Sequence, residues 1–184
     1  MAEIVDQASE QMEKSIQATQ ENFIGIRTGR ANPALLNSIV VSYYGAPTPL
    51  KQLASISVPE PRTLAITPFD QSQAAAVEKA IRDSDLGVSP ARSGNVIRIT
   101  LPELTQDRRK EYAKMAKDEA EKGKIALRNI RRKARESVEK QLKDDEITED
   151  DRDNLFKQLD AITKKNSDTI DSLLERKQAE IMSV

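Results

Sequence analysis

Apolar residues recur every three or four positions in three long segments of the chain, the spacing that places them on one side of an α-helix. The second segment, residues 105–143, has no proline and a single glycine, Gly123, among strong helix formers. Thr105 stands at its start with a hydroxyl that can accept hydrogen bonds from the first unpaired amides. This pattern predicts one helix about 55 Å long. Its apolar stripe comprises Tyr112, Met115 or Ala116, Ala120, Gly123, Leu127, Ile130, Ala134, Val138 and Leu142.

The first and last segments have stripes of the same kind, and each predicts a long amphipathic helix. We expect the first helix to run to about Thr28, where Gly29 in a left-handed conformation would close it. We expect the last to begin near Thr148, which with Asp151 resembles a capping box, and to end near Met182. Three such helices predict a long antiparallel three-helix bundle. Their stripes comprise Val5, Ala8, Met12, Ile16, Thr19, Phe23 and Ile26 in the first, and Leu155, Leu159, Ile162, Ile170, Leu173 and Ile181, interrupted by Asn166, in the last.

Residues 31–104 have a different composition, because all 8 prolines of the chain lie between Pro33 and Pro102. Short β-rich runs alternate there with turn signals, which predicts a small α+β domain inserted between two helices. The predicted fold class is therefore α+β, with a bundle of residues 1–30 plus 105–184 and an inserted β/α/β domain of residues 31–104. The predicted strands are Ser38–Tyr44, Leu50–Leu53, Ser55–Val58, Thr63–Thr67 and Val96–Leu101, the predicted helix is Gln71–Ser84, and Gly45–Pro47 is a predicted turn.

The inserted domain begins and ends at one corner of the predicted bundle. Short connections that contain glycine and proline favour a hinge at this corner. The alternative is a rigid corner packed against the bundle. The predicted hinge residues are Gly29, Arg30, Ala31, Leu104 and Thr105.

Composition excludes several kinds of chemistry. The chain has no cysteine and no histidine, which rules out disulfides, thiol chemistry and the usual general base. No phosphate loop, dinucleotide-binding motif or nucleophile elbow is present, so we expect a protein that is not an enzyme and needs no cofactor or metal. The acidic stretch of residues 144–151 lacks the glycine and the spacing of a calcium loop. With no long apolar run and no signal peptide, we expect a cytoplasmic protein with no membrane partner.

Basic charge is concentrated in the second predicted helix, although the net charge of the chain is only −1. Residues 107–143 contain 14 basic and 7 acidic side chains, and no acid lies between Lys122 and Arg135. Guanidinium groups bind phosphate oxygens in a bidentate manner and stack on bases, so this pattern favours a polyanion such as RNA. The alternative is a solvated face balanced by neighbouring acids or by the acidic last helix. The predicted arginine ridge comprises Arg128, Arg131, Arg132 and Arg135.

Other candidate residues lie near the helix ends. Arg27 and Arg30 stand at the predicted end of the first helix, where the helix dipole alone could account for them. Arg108 and Arg109 begin the second helix, where the dipole disfavours positive charge, so we expect a ligand or an acidic partner there. The adjacent tyrosines Tyr43 and Tyr44 could stack on bases, but we expect at least one to pack in the core.

Five stretches of the chain resemble the bacterial and organellar ribosome recycling factor family, in order and over essentially the whole length. The motifs RTGRA, YYG-PTPL and RNIRR are specific to that family. One departure is Lys133, where we expect relatives often to have an acid, and which adds charge to the ridge. The stretches are RTGRANPALL (27–36), YYGAPTPLKQLASISV (43–58), AVEKAIRDSDLGVSP (76–90), LPELTQDRRKEYAK (101–114) and ALRNIRRKARE (126–136).

This resemblance implies an L-shaped, monomeric, tRNA-like protein that is a mechanical wedge and not a catalyst. It implies binding to large-subunit rRNA of the post-termination ribosome, followed by subunit separation with elongation factor G, which hydrolyses GTP itself. Arg131 matches the arginine of RNIRR most closely tied to ribosome binding. By the same motifs it is accompanied by Arg128, Asn129, Arg132, Arg27 and Arg30. The charge pattern adds Arg135 of the ridge and Arg108 and Arg109 of the second helix to the expected rRNA contacts.

Two other classes of function remain. A general RNA-binding or chaperone module would bind many RNAs with little preference for ribosomes. A coiled-coil scaffold would use the basic helix against an acidic protein, and it predicts self-association and no salt-sensitive RNA binding. Neither explains why a proline-rich domain interrupts a helical bundle at one corner.

Overall fold

Three long helices dominate the computed structural model, which describes residues 2–183. They are α1 (Ala2–Ile24), α4 (Gln106–Lys143) and α5 (Glu149–Met182), and α2 and α3 are short helices of the intervening segment. The predicted helix starts are confirmed: the Arg108 amide donates to Thr105 Oγ1 at 3.3 Å, and Thr148 forms a reciprocal capping box with Asp151. These side chains satisfy amides that the first turn of a helix leaves unpaired.

The predicted end of the first helix is wrong by several residues. α1 ends at Ile24, and Ile26 donates its amide to the Phe23 carbonyl at 3.1 Å in the turn that follows. Gly29 has the predicted positive φ, 76°, but it lies in the connection beyond the helix. The glycine signal was therefore correct for the local backbone and wrong for the position of the helix end.

Two compact units make up the chain. A helical unit contains Met1–Ile26 and Arg109–Val184, and a sheet unit contains Arg27–Arg108. The predicted inserted domain, residues 31–104, is four residues shorter at each end than the sheet unit. Across residues 2–183, no helix has the length and apolarity that a membrane crossing requires.

The helical unit is built by the predicted apolar stripes. The contacts fix the helix directions: residues early in α1 pack with late residues of α4, whereas Thr19 lies against Gly123. α4 is therefore antiparallel to α1, and α5 returns alongside α4 in the opposite direction. Of the two alternatives in the α4 stripe, Ala116 is buried and Met115 is 44% exposed. The buried members are Val5, Ala8, Met12, Thr19, Phe23, Ile26, Ala116, Ala120, Gly123, Leu127, Ala134, Val138, Leu155, Leu159, Ile170 and Ile181, and Ile147 before α5 is buried with them.

Polar side chains also lie inside the helical unit. Asn166, which interrupts the α5 stripe, is buried and donates to the Ile162 carbonyl at 2.8 Å and to Met12 Sδ at 3.8 Å. Thr163 donates to the Leu159 carbonyl at 2.6 Å and also faces Met12 Sδ. Because these hydroxyl and amide groups bond to their own helix, their burial leaves few unpaired groups.

The sheet unit contains a two-stranded and a four-stranded antiparallel sheet. β1 (Val40–Tyr43) pairs with β2 (Ala46–Pro49), and the larger sheet has the order β3-β4-β6-β5. α3 (Ala74–Arg82) contacts β1, β4 and β6 through Ala74, Val77 and Ile81. The strands of the larger sheet are β3 (Ala54–Glu60), β4 (Thr63–Pro68), β5 (Ala91–Ser93) and β6 (Val96–Thr100).

One predicted strand is wrong and two strands were missed. Leu50–Leu53 forms the single-turn helix α2, with Leu50 fully buried. β2 and β5 were not predicted, and Ala46–Pro49 was assigned in part to a turn. Both are edge strands, β2 with two prolines and β5 exposed along its whole length, so neither has the alternating pattern of a half-buried strand. The α+β class, with long helices and a small sheet domain, is confirmed.

Candidate nucleic-acid interface

The ridge residues of α4 line one surface groove of the helical unit, with a volume of about 680 Å³. All five predicted contact residues between positions 128 and 135 reach it, because positions one turn apart on a helix project to one side. α5 contributes Phe156 to the same groove, and Glu136 and Glu139 complete its lining. The five predicted residues are Arg128, Asn129, Arg131, Arg132 and Arg135.

Acidic side chains from outside the acid-free stretch pair with this ridge. Arg128 Nη2 lies 2.6 Å from Glu121 Oε1, and Arg132 Nη1 lies 3.3 Å from Glu136 Oε1. Both pairs are more than half exposed, and exposed ion pairs contribute only about 0–1 kcal/mol. The ridge is therefore partly neutralised, as the alternative interpretation supposed, but its outer partners can be exchanged at little cost.

The inner side of the groove is organised by α5. Asp160 Oδ2 accepts from Arg135 Nη2 at 2.8 Å, and Asp160 Oδ1 lies 3.6 Å from Arg131 Nη1. The Arg135 guanidinium also lies over the Phe156 ring, 4.4 Å from its centroid, in a cation–π contact. Sequence reasoning missed Phe156 and Asp160, although their spacing of four on a helix with buried Leu155 and Leu159 could have indicated a shared face.

Arg109 lies at the other end of the unit, and its role there is visible. Its Nη1 donates to the carbonyls of Met182 at 3.2 Å and Ser183 at 2.8 Å, at the carboxyl end of α5. A cation is favourable at that end because the helix dipole is negative there. The expected partner at the start of α4 is thus a helix terminus. Arg109 is 19 positions before Arg128, about 28 Å along α4, so the fold does not bring these two together.

Arg27 and Arg30 are not at a helix end, so the explanation from the helix dipole is wrong for both. They follow α1 and lie in the sheet unit, where Arg27 Nη2 donates to the Leu86 carbonyl. The Arg30 amide donates to Thr28 Oγ1 at 3.3 Å, and the residue is exposed. Arg108 belongs to the sheet unit as well, and its backbone amide donates to Thr105 Oγ1.

The predicted hinge residues also lie within the sheet unit. A Cβ at Gly29 would lie 3.4 Å from Leu104 Cγ, so the two connecting segments touch. The Ala31 amide donates to the Pro61 carbonyl at 2.8 Å. The hinge at these residues stays a prediction.

Tyr43 is half-buried and Tyr44 is exposed at the tip of the first hairpin, and neither packs in the apolar core of the sheet unit, so the expected core packing of one tyrosine is wrong. Their rings meet edge to face with centroids 4.7 Å apart, and Tyr44 is 71% exposed with φ 47°. Its hydroxyl donates to Asp70 Oδ2 at 2.9 Å. Hydrogen bonds from the Ser72 hydroxyl, the Tyr44 hydroxyl and the Ser72 amide lower the pKa of Asp70, because each favours the carboxylate form.

Within residues 2–183, no three or more His, Cys, Asp or Glu side chains are grouped so that they could hold a metal ion. The arginine groove has a different chemistry, since guanidinium groups line it. It presents planar donors in a row, which suits phosphate oxygens.

Comparison with known proteins identifies the family. The family model described as Ribosome recycling factor matches residues 19–182. The ribosome-recycling factor of Bifidobacterium adolescentis is 68% identical over 100% of both chains, and that of Cutibacterium acnes is 53% identical over 100% of both.

Solved structures agree with the sequence comparison. A solution structure of a ribosome recycling factor is 40% identical, with a TM-score of 0.83 over 100% of this chain and 97% of that one. Models for the T. thermophilus ribosome recycling factor and the E. coli elongation factor G bound to the E. coli post-termination complex match with 41% identity and a TM-score of 0.70, over 99% of this chain and 98% of that one. The resemblance expected from the motifs is thus confirmed over the full length of the sequence, and the chain belongs to the ribosome recycling factor family.

Proposed function

We propose that this protein binds the post-termination ribosome and, with elongation factor G and GTP, separates it into subunits. Two comparisons support the proposal. Relatives that match over their whole length are named ribosome-recycling factor, and the T. thermophilus relative is described together with elongation factor G on a post-termination complex. The family consists of non-enzymatic translation factors, so the chemical step, GTP hydrolysis, belongs to elongation factor G.

The proposed contact with the ribosome is the arginine groove on α4, which would lie on large-subunit rRNA. The observation that carries this assignment is the convergence of Arg128, Asn129, Arg131, Arg132 and Arg135 in one groove. The Arg131 side chain is 39% exposed, and among residues 2–183 its ion pair is the long one of 3.6 Å with Asp160, so its guanidinium can turn to a phosphate without breaking a close hydrogen bond. Arg27, Arg30, Arg108 and Arg109 remain further proposed rRNA contacts outside this groove.

The proposed mechanical step relies on the stiffness of the helical unit. α4 has 38 residues, about 57 Å of helix, and its apolar stripe packs on two other helices that resist bending. A push on the sheet unit by elongation factor G would move this rod against an intersubunit contact if the connections flex. Gly29, Arg30, Ala31, Leu104 and Thr105 are the proposed hinge. We further propose that the protein acts as a monomer in the cytoplasm.

The experiment that tests the groove compares wild type with Arg131→Ala and Arg131→Lys. Binding to purified large subunits is measured across a salt series, and subunit splitting with elongation factor G and GTP is followed by light scattering. Loss of a charge-assisted contact should weaken binding by roughly 1–3 kcal/mol. In Arg131→Ala, the slope of log affinity against log salt concentration should become shallower by roughly the contribution of one phosphate contact. Arg131→Lys should restore the charge but not the bidentate geometry.

Arg152→Ala is the matched control. Arg152 is also an arginine of the helical unit, but it pairs with Asp153 on α5 at 2.9 Å, outside the groove. Equal affinities and equal salt slopes for the Arg131 and Arg152 variants would show that the ridge is solvated surface. Equally tight binding of wild type to an unrelated RNA would instead favour the general RNA-binding module.

A further inference from the structure

The arginine groove contains its own anion. Asp160 lies on α5, the helix that carries most of the acidic charge beside α4, and its carboxylate faces two ridge arginines at once. A carboxylate with two guanidinium partners has the charge and the planar acceptor geometry of a bound phosphate. Neither the charge pattern of α4 nor the matching motifs assigns a role to this residue.

The two arginines are held unequally. Arg135 has a 2.8 Å hydrogen bond to Asp160 Oδ2 and a cation–π contact with Phe156, so two partners on α5 fix its guanidinium. Arg131 is 3.6 Å from Asp160 Oδ1, a distance too long for a hydrogen bond. Arg135 is thus oriented by α5, whereas Arg131 is only attracted to it.

The hydrogen bonding between Asp160 and Arg135 is also incomplete. Within residues 2–183, the atoms Asp160 Oδ1 and Arg135 Nε are buried without a hydrogen-bond partner, although the Asp160 side chain as a whole is 47% exposed and its Oδ1 keeps the long ion pair with Arg131. A buried charged atom that lacks its bonds has lost hydration without full replacement. Turning Asp160 out to water would therefore restore its hydration, provided that another anion takes its place beside the arginines.

We propose that Asp160 is a built-in counter-ion of the arginine groove, which an RNA phosphate displaces, and that Phe156 is the positioning residue that keeps Arg135 in place during the exchange. This inference rests on the proposed function, since the exchange matters only if the groove binds RNA. Its consequence is a lower affinity for polyanions in general. A strand binds well only when its phosphates reach both Arg131 and Arg135 and so replace both interactions of Asp160.

The test uses the full-length protein with Asp160→Asn, which keeps the shape of the side chain and removes its charge. Asp168→Asn is the matched control, because Asp168 is on the same helix, is exposed, and pairs with Lys164 at 2.7 Å and not with the ridge. Dissociation constants are measured for poly(U) and for purified large subunits from low to high salt. Circular dichroism and thermal unfolding establish that each variant is folded.

We expect Asp160→Asn to bind poly(U) roughly 3–10-fold more tightly at low salt. The slope of log affinity against log salt concentration should be steeper by about 0.7, the value for one additional phosphate neutralised on a single strand. Asp168→Asn should change the affinity less than 2-fold, because its charge lies outside the groove. Phe156→Leu should weaken binding to large subunits by roughly 3–10-fold, since the cation–π contact that orients Arg135 is lost, whereas Phe156→Tyr should retain it.

The outcomes separate this inference from the proposed function. Identical affinities and slopes for Asp160→Asn and Asp168→Asn would overturn the counter-ion, even if Arg131→Ala still weakens binding to large subunits. Conversely, an unchanged Arg131→Ala variant would remove the ribosomal assignment of the groove, while a tighter Asp160→Asn would still support an internal counter-ion for polyanions. Equal loss in the Phe156→Leu and Phe156→Tyr variants would overturn the positioning role of the ring.

Discussion

Gly123→Ala should destabilise the protein, although alanine is the better helix former. In an exposed helix interior the same change would stabilise by about 1 kcal/mol. Gly123 is buried at the middle of α4, facing Thr19 of α1 and Ile170 of α5. A Cβ at this position would lie 2.5 Å from Thr19 Oγ1 and 3.0 Å from Ile170 Cδ1.

The size of the destabilisation depends on how easily Thr19 and Ile170 can move away from the new methyl group. Thr19 is 3% exposed and its hydroxyl donates to the Ser15 carbonyl at 2.9 Å, so it has little room to rotate and loses a bond if it does. The Ile170 methyl is the flexible end of a side chain and can shift at smaller cost. Overpacking of a core costs about 1–3 kcal/mol. After the gain of about 1 kcal/mol in helix propensity, we expect a net loss of up to about 2 kcal/mol in the free energy of unfolding.

A double-mutant cycle with Thr19→Ala isolates the cause. Thr19 Cβ would lie 3.6 Å from the new methyl, an ordinary contact, so removing the hydroxyl removes the main clash. In the Thr19→Ala background, Gly123→Ala should be neutral or stabilising, which gives a coupling energy of at least about 1 kcal/mol. Urea unfolding followed by circular dichroism at 222 nm reports mainly on the helical unit. If Gly123→Ala stabilises the protein in both backgrounds, the close approach of α1 and α4 inferred from the structure is incorrect.

Two further predictions concern charged groups. Arg109→Ala should lower the free energy of unfolding by about 1–2 kcal/mol, because the cation that donates to the carbonyls at the end of α5 is lost. If Arg109 has only this structural role, the salt dependence of binding to large subunits stays unchanged. A weaker salt dependence would instead make Arg109 an rRNA contact. The Asp70 carboxyl, followed by NMR, should titrate below its ordinary pKa, and Tyr44→Phe should raise that pKa towards the ordinary value by removing one of its hydrogen bonds. Because the folded-state pKa is lowered, the stabilisation from Asp70 is present above the unfolded-state pKa and is lost as the pH falls through the folded-state value. An unchanged Asp70 pKa in the Tyr44→Phe variant would show that the Tyr44 hydroxyl does not donate to the carboxylate.

The sequence by itself determined the long helices and their buried faces. Stripes that extend over many turns leave little ambiguity, because a helix is the only regular structure that places residues three and four apart on one side. The starts of α4 and α5 could also be predicted from the sequence, because the side chains of Thr105, Thr148 and Asp151 accept hydrogen bonds from backbone amides only a few residues away. The arginine groove follows from the same periodicity, as its α4 members share one face of one helix.

Only the tertiary structure decided the short elements of the sheet unit. Leu50 and Leu53 are three residues apart, a spacing that four residues cannot assign to helix or strand, and burial of Leu50 fixes the helical turn. The strand β2 exists because β1 lies beside it, and its prolines are tolerated at an edge, where no ladder amide is required of them.

The acidic partner that Arg131 and Arg135 share was likewise decided by packing between helices. Asp160 is 25 positions from Arg135 in the sequence, and only the antiparallel pairing of α4 with α5 brings the two side chains to 2.8 Å. The same pairing places the carboxyl end of α5 beside Arg109. Local patterns determine which face of a helix is basic, because those residues belong to one element. The same local spacing pairs Arg128 and Arg132 with acids of α4 itself. The neutralisation of Arg131 and Arg135 depends instead on distances between elements, and these are set by the packing of the apolar stripes on the opposite side.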